Sequence, residues 1–147
     1  MAAVGLVDWD DLRQLAISAM SHAYCPYSGY PVGAAGLTDT GALVSGCNVE
    51  NSSLGVGLCA ECGMVSQLVR EGAGKLVAVI CVNGDEDVVS PCGRCRQLIA
   101  DHAAPGAQIQ MPSGVMTVAQ MLPDFFGPTD LAAVSTSTYK PSSREGE

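Results

Sequence analysis

The sequence is poor in basic residues. Its 147 positions carry seven Lys and Arg against fifteen Asp and Glu, for a formal net charge of −8. The seven (Arg13, Arg70, Lys75, Arg94, Arg96, Lys140 and Arg144) are scattered. No basic stripe can track a phosphate backbone, which argues against a nucleic-acid partner. No apolar run is long enough to span a bilayer, and residues 1–7 lack the positive segment of a secretory signal, so no membrane role is expected. There is no Gly-Lys-Ser/Thr phosphate loop and no full dinucleotide fingerprint. The glycines of 52–57 read instead as a close-packed loop leading into a helix. Two histidines are present, His22 and His102, and neither has ligand spacing to a cysteine. Charged residues make up 15% against 48% apolar, which excludes an extensively disordered chain. One domain over 1–131 is expected, followed by a Ser- and Thr-rich tail over 132–147 that is expected to be partly mobile.

Cysteine, by contrast, is plentiful. Seven are present, an odd number that fits metal-bound thiolates in a reducing cytoplasm better than a disulfide framework. Four fall in two short pairs: Cys59-Ala60-Glu61-Cys62 and Cys92-Gly93-Arg94-Cys95. Two residues between cysteines let both sulfurs reach one ion, so the pattern is a zinc signal. Four cysteines on one ion would make a closed structural site. Three would leave a fourth position for water, as catalytic zinc requires. Glu61 favours the second arrangement, because a closed site has no use for a carboxylate between its ligands. An acid/base group beside activated water does have a use. Cys25, Cys47 and Cys81 read as small packing residues.

In chain order, Asp8 caps a helix over 9–24 with an apolar face of Leu12, Leu15, Ala16, Ala19, Met20 and Ala23. Small residues in a strand over 30–37 imply that something packs closely on it. A second strand follows at 42–48. A helix runs from Cys59 to Glu71-Gly72 with Met64, Val65, Leu68 and Val69 inward. The apolar run 75–82 reads as a strand covered on both faces. A third helix ends near His102, a short strand covers 107–111, and Thr117 with Gln120 forms a capping box for a brief helix. Both cysteine pairs thus fall at helix N-termini, where unpaired N–H groups favour thiolates.

These motifs resemble the cytidine deaminase family, in particular its small homotetrameric, three-cysteine zinc type. The likeness rests on Cys-Ala-Glu followed by Pro-Cys-Gly-x-Cys-Arg-Gln at 91–97, on residues 24–28 and 32–35, on Gly46-Cys47-Asn48-Val49-Glu50-Asn51, and on Leu122-Pro123 with Phe126. It covers about residues 8–131. The resemblance implies a three-layer α/β/α sandwich with a mixed five-stranded sheet. It implies one Zn²⁺ per subunit on Cys59, Cys92 and Cys95, with Glu61 as proton shuttle. Asn48 and Glu50 would bind ribose, the Ala60 backbone the pyrimidine, and Tyr30 the base. Phe126 would reach the base from a neighbouring subunit of a homotetramer with composite sites.

The sequence departs from the family pattern at three positions. Tyr30 stands where phenylalanine is common, Leu54 where an aromatic is common, and Cys62 where many relatives carry an arginine that offsets thiolate charge. Cys62 is therefore expected to stay off the metal, with Arg94 supplying part of the missing positive charge. The implied reaction is hydrolytic deamination of cytidine and deoxycytidine, a step of pyrimidine salvage. Two other readings are a deaminase of another aminopyrimidine, such as a nucleoside antibiotic, and a non-enzymatic four-cysteine zinc module.

Overall fold

The computed structural model describes residues 6–133. Helix α1 (Trp9–Met20) starts where the Asp8 carboxylate accepts the Asp10 and Asp11 N–H groups. It ends four residues before the position expected from its pattern. Leu12 and Ala16 are its buried residues, while Leu15 and Met20 pack at the margin.

Strands β1 (Val32–Thr38), β2 (Leu43–Cys47), β3 (Leu76–Asn83), β4 (Ala103–Met111) and β5 (Gly114–Thr117) form one sheet in the order β2-β1-β3-β4-β5. Only β3 and β4 run parallel; the other pairs are antiparallel. The sheet is therefore mixed and five-stranded, as implied. Helix α1 packs on one face. Helices α2 (Ala60–Glu71) and α3 (Gly93–His102), with the one-turn α4 (Val118–Met121), lie on the other.

The apolar run of β3 serves both layers. Val79 and Cys81 join the cluster under α2 and α3, while Ala78, Ile80 and Val82 join the cluster under α1. That double duty explains the lack of alternation in its sequence. The small residues of the first two strands also have their reason. A Cβ on Gly33 would strike the α1 backbone at Ala16 and Met20, and one on Gly46 would strike the α2 backbone at Ala60 and Met64.

Four expectations change. Strand β4 begins at Ala103 rather than 107, through Pro105 and Gly106, with a register shift against β3 between Leu76 and Ala78. Val69 points outward at 61% exposure, because the inner face of α2 centres on Glu61, Met64, Val65 and Leu68. The glycine-rich loop is open rather than close-packed: it makes one 3₁₀ turn, Leu54–Val56, with both end residues exposed. Cys25 and Cys47 are half-buried; of the three unpaired cysteines only Cys81 is in the core. Helix α5 (Pro128–Ala133) crosses the expected start of the tail, and the remainder, 134–147, lies outside the described residues. Among the described residues, no helix is long and apolar enough to cross a membrane.

Candidate metal centre and its cleft

Cys59 is the N-cap of α2 and Cys92 the N-cap of α3. Cys95 lies in the first turn of α3, fully buried. The three Sγ atoms lie within 4.8 Å of one another, and Cys59 and Cys92 are 3.9 Å apart. Tetrahedral zinc at about 2.3 Å from each sulfur places sulfurs roughly 3.8 Å apart, so the cluster fits the ion. Without a cation, burial pushes the Cys59 and Cys95 thiols up. Burial also opposes ionisation of Cys92, yet hydrogen bonds from the Cys95 backbone and from the Cys95 and Cys59 thiols bring it below the ordinary thiol value. Metal uptake here has to displace protons.

Cys62 is not part of this group. Its Sγ accepts a hydrogen bond from Arg94 Nη2 at 3.3 Å. The Cys62 sulfur, then the charges of Cys62, Cys59 and Cys95, push the Arg94 guanidinium further towards the charged form. The arginine thus comes from the second cysteine pair and meets the first. Cys62→Ala is expected to keep stoichiometric zinc and substantial activity. Arg94→Ala is expected to release zinc more readily to a competing chelator, by roughly several-fold, the size of a surface charge effect. Stoichiometric zinc loss from the Cys62 variant would identify it as a ligand.

Glu61 sits in the first turn of α2, 4% exposed, and lines a cavity of about 410 Å³ together with Cys59, Cys92, Ala60, Asn48, Glu50 and Tyr30. Ala60 is the first residue of α2, so its N–H has no intrahelical acceptor.

Asn48 and Glu50 follow the end of β2, and local hydrogen bonds fix each. Asn48 Oδ1 accepts the Val32 N–H at 2.8 Å, and its Nδ2 donates to the Tyr30 carbonyl at 2.9 Å. Those backbone partners define the amide orientation and leave one N–H for a ligand. Glu50 Oε1 accepts the Tyr27 and Ser28 N–H groups at 3.0 and 3.1 Å. Hydrogen bonds from the Ser28 hydroxyl and amide, with that of Tyr27, hold its carboxyl below the usual carboxylate range. An ionised carboxylate has acceptor capacity left over for hydroxyl groups. The Tyr30 hydroxyl lies 3.4 Å from Asn83 Nδ2.

Two expected site residues do not line this cavity: Cys95, buried behind it in the sulfur cluster, and Phe126. Its carbonyl accepts a hydrogen bond from Gln97 Nε2 at 2.6 Å, and it stands 59% exposed. Val89 and Ser90, from the loop before Cys92, line the cavity and were not anticipated. Nor was the role of Arg96, which donates to the carbonyls of Pro91 and Met121 and so fastens the second cysteine loop to α4. His22 is exposed and His102 closes α3, both away from the cluster.

Comparison with known proteins adds an independent line. The family profile described as the cytidine and deoxycytidylate deaminase zinc-binding region matches residues 8–110. A cytidine deaminase of Mycobacterium tuberculosis (strain H37Rv) is 48% identical over 125 residues, covering 85% of this chain and 94% of that protein. One of Sporosarcina psychrophila is 38% identical over 119 residues, 78% of this chain and 88% of that protein. The crystal structure of cytidine deaminase from Mycobacterium leprae superposes with a TM-score of 0.77 at 52% identity, covering 80% of this chain and 98% of that one.

Proposed function

Since the chain belongs to the cytidine and deoxycytidylate deaminase family, we propose that it deaminates cytidine and deoxycytidine to uridine and deoxyuridine, consuming water and releasing ammonia. The observation that carries this reading is a buried carboxylate, Glu61, opening onto the same cavity as Cys59 and Cys92 of a three-cysteine cluster.

Cys59, Cys92 and Cys95 would hold one Zn²⁺. Zinc so bound supplies a hydrolytic nucleophile at neutral pH by lowering the pKa of water towards about 7. Glu61 accepts the proton released by water and passes it to ring N3, which makes C4 more electrophilic. Once the water oxygen has bonded to C4, Glu61 takes the remaining proton of that hydroxyl and gives it to the amine, which leaves as ammonia while the C4 carbonyl forms, so Glu61 acts as base and then acid. The Ala60 N–H meets the pyrimidine carbonyl. Asn48 and the ionised Glu50 hold the sugar through the secondary hydroxyl that both nucleosides carry. Tyr30 flanks the base from the cavity wall.

The active unit in this proposal is a homotetramer, with Phe126 completing the site of a neighbour. Its supports are that Phe126 does not line its own cavity yet stands 59% exposed, and that large apolar side chains lining the cavity are left exposed: Tyr30 51%, Leu54 83% and Leu58 52%. Such a patch is covered in an assembly. Phe126→Ala is expected to raise KM several-fold, about 1 kcal/mol for a lost aromatic contact, with little change in kcat. A fully active monomer by sedimentation and kinetics would refute the composite site. The seven cysteines, none of which pairs in a disulfide, support a reducing, cytoplasmic setting.

The deciding assay follows the fall in cytidine absorbance and the release of ammonia with zinc-loaded protein. Absence of both would end the deaminase reading.

A further inference from the structure

Strand β3 runs through the middle of the sheet, and Cys81 sits near its C-terminal end, paired across the ladder with Ala34 of β1. Its side chain faces the α2–α3 layer and is 1% exposed. Glu61 comes down on it from the first turn of α2. Cys81 Sγ lies 3.5 Å from Glu61 Oε1, and among the described residues this is the hydrogen bond that reaches the Glu61 side chain. Cys81 does not line the cavity, whereas Glu61 does. The contact therefore reaches the carboxylate from the sheet side.

We propose that Cys81 is a positioning residue for deamination: its thiol holds Glu61 Oε1 against the sheet and so turns the other carboxylate oxygen into the cavity for proton transfer. The proposal rests on the deaminase reading above. A thiol suits this task because it is a weak donor. A carboxylate that must both take and give a proton needs its orientation fixed. The same chain shows the contrast. Glu50, which in the proposed complex only binds, accepts two backbone N–H groups; Glu61 meets a single sulfur. Burial, reinforced by the neighbouring Glu61 carboxylate, pushes the Cys81 thiol well up, so it remains an S–H donor rather than a thiolate.

The test compares Cys81→Val with Cys81→Ser as zinc-loaded proteins. Valine fills the space without a donor, and serine restores a hydroxyl donor at the same place. Cys81→Val is expected to lower kcat about ten- to a hundred-fold, the cost of a misplaced catalytic group, with zinc content unchanged. Its KM is expected to stay within about twofold, since Cys81 does not touch the cavity. Cys81→Ser is expected to return kcat to within about threefold of wild type. Valine turnover within about twofold of wild type, serine as slow as valine, or kcat and KM moving together would each overturn the proposal. If the valine variant does not fold, Cys81→Ala removes the donor with a smaller side chain, and the same comparison with serine decides. Wild type is run alongside. No cytidine turnover there ends the functional reading itself, while normal turnover with indifferent Cys81 variants ends only the positioning role.

Discussion

Glu61→Gln is expected to lower kcat by about a hundred- to ten-thousand-fold, the range for loss of a positioned acid/base group. The substitution preserves shape. Glutamine keeps a carbonyl oxygen that can accept the Cys81 thiol 3.5 Å away, so the buried first turn of α2 has no reason to move. The residue lies outside the three-sulfur cluster, so zinc content is expected to stay stoichiometric. What disappears is the capacity to accept a proton and release it again. Steady-state kinetics, metal analysis and a thermal melt on one preparation separate these effects. Near-normal turnover by a folded, zinc-loaded Gln variant would sink the shuttle mechanism.

Cys95→Ala is expected to be as damaging by another route. Cys95 is fully buried, the most buried residue of the three. Two thiolates cannot make the three-ligand site of a catalytic zinc. The variant is expected to be purified with little zinc and to lose turnover roughly a thousand-fold or more, since the metal supplies several kcal/mol of transition-state support. It also forfeits the stabilisation a bound ion lends the native state, so its melting temperature is expected to fall and to stop responding to added zinc. Wild type stripped by a chelator serves as the reference. A Cys95 variant holding one zinc per chain with normal activity would show that the ligand set is wrong, and Cys62 would then be the natural substitute.

Much of the fold was readable where the signal is local. Asp8 ahead of an amphipathic run, the Thr117–Gln120 capping box and the Glu71-Gly72 stop all mark helix ends within a few residues. The two cysteine pairs are local as well and mark a metal site, but spacing leaves three or four sulfurs open; the set Cys59, Cys92 and Cys95 follows from the family resemblance. The misreadings arise where distant partners decide. Strand β5 is four residues, Gly114–Thr117, too short for alternation to show, and it exists because β4 offers an edge. Pro105 and Gly106 disguise the start of β4. Cys81 lies inside an apolar run that looks like uniform core, and nothing nearby in sequence points to a carboxylate twenty positions earlier. Arg96 and Gln97 belong to the recognised motif, yet their hydrogen bonds end at residues 91, 121 and 126.

The contact between Gly46 and the opening turn of α2 has a consequence for substrate choice. One end of the cleft, Asn48 and Glu50, continues from the strand that holds Gly46; the other, Ala60 and Glu61, belongs to the helix lying on it. Backbone rests on backbone there, with no side chain between to be lengthened or trimmed. The two ends are thus held at a set gauge, as jaws on a solid frame. In the proposed complex a nucleoside would span that gauge from sugar to amine, and a free base would leave one jaw empty. Selectivity can still drift through the exposed Leu54 and Leu58 along the mouth, whereas any side chain at Gly46 would have to push strand and helix, and with them the jaws, apart.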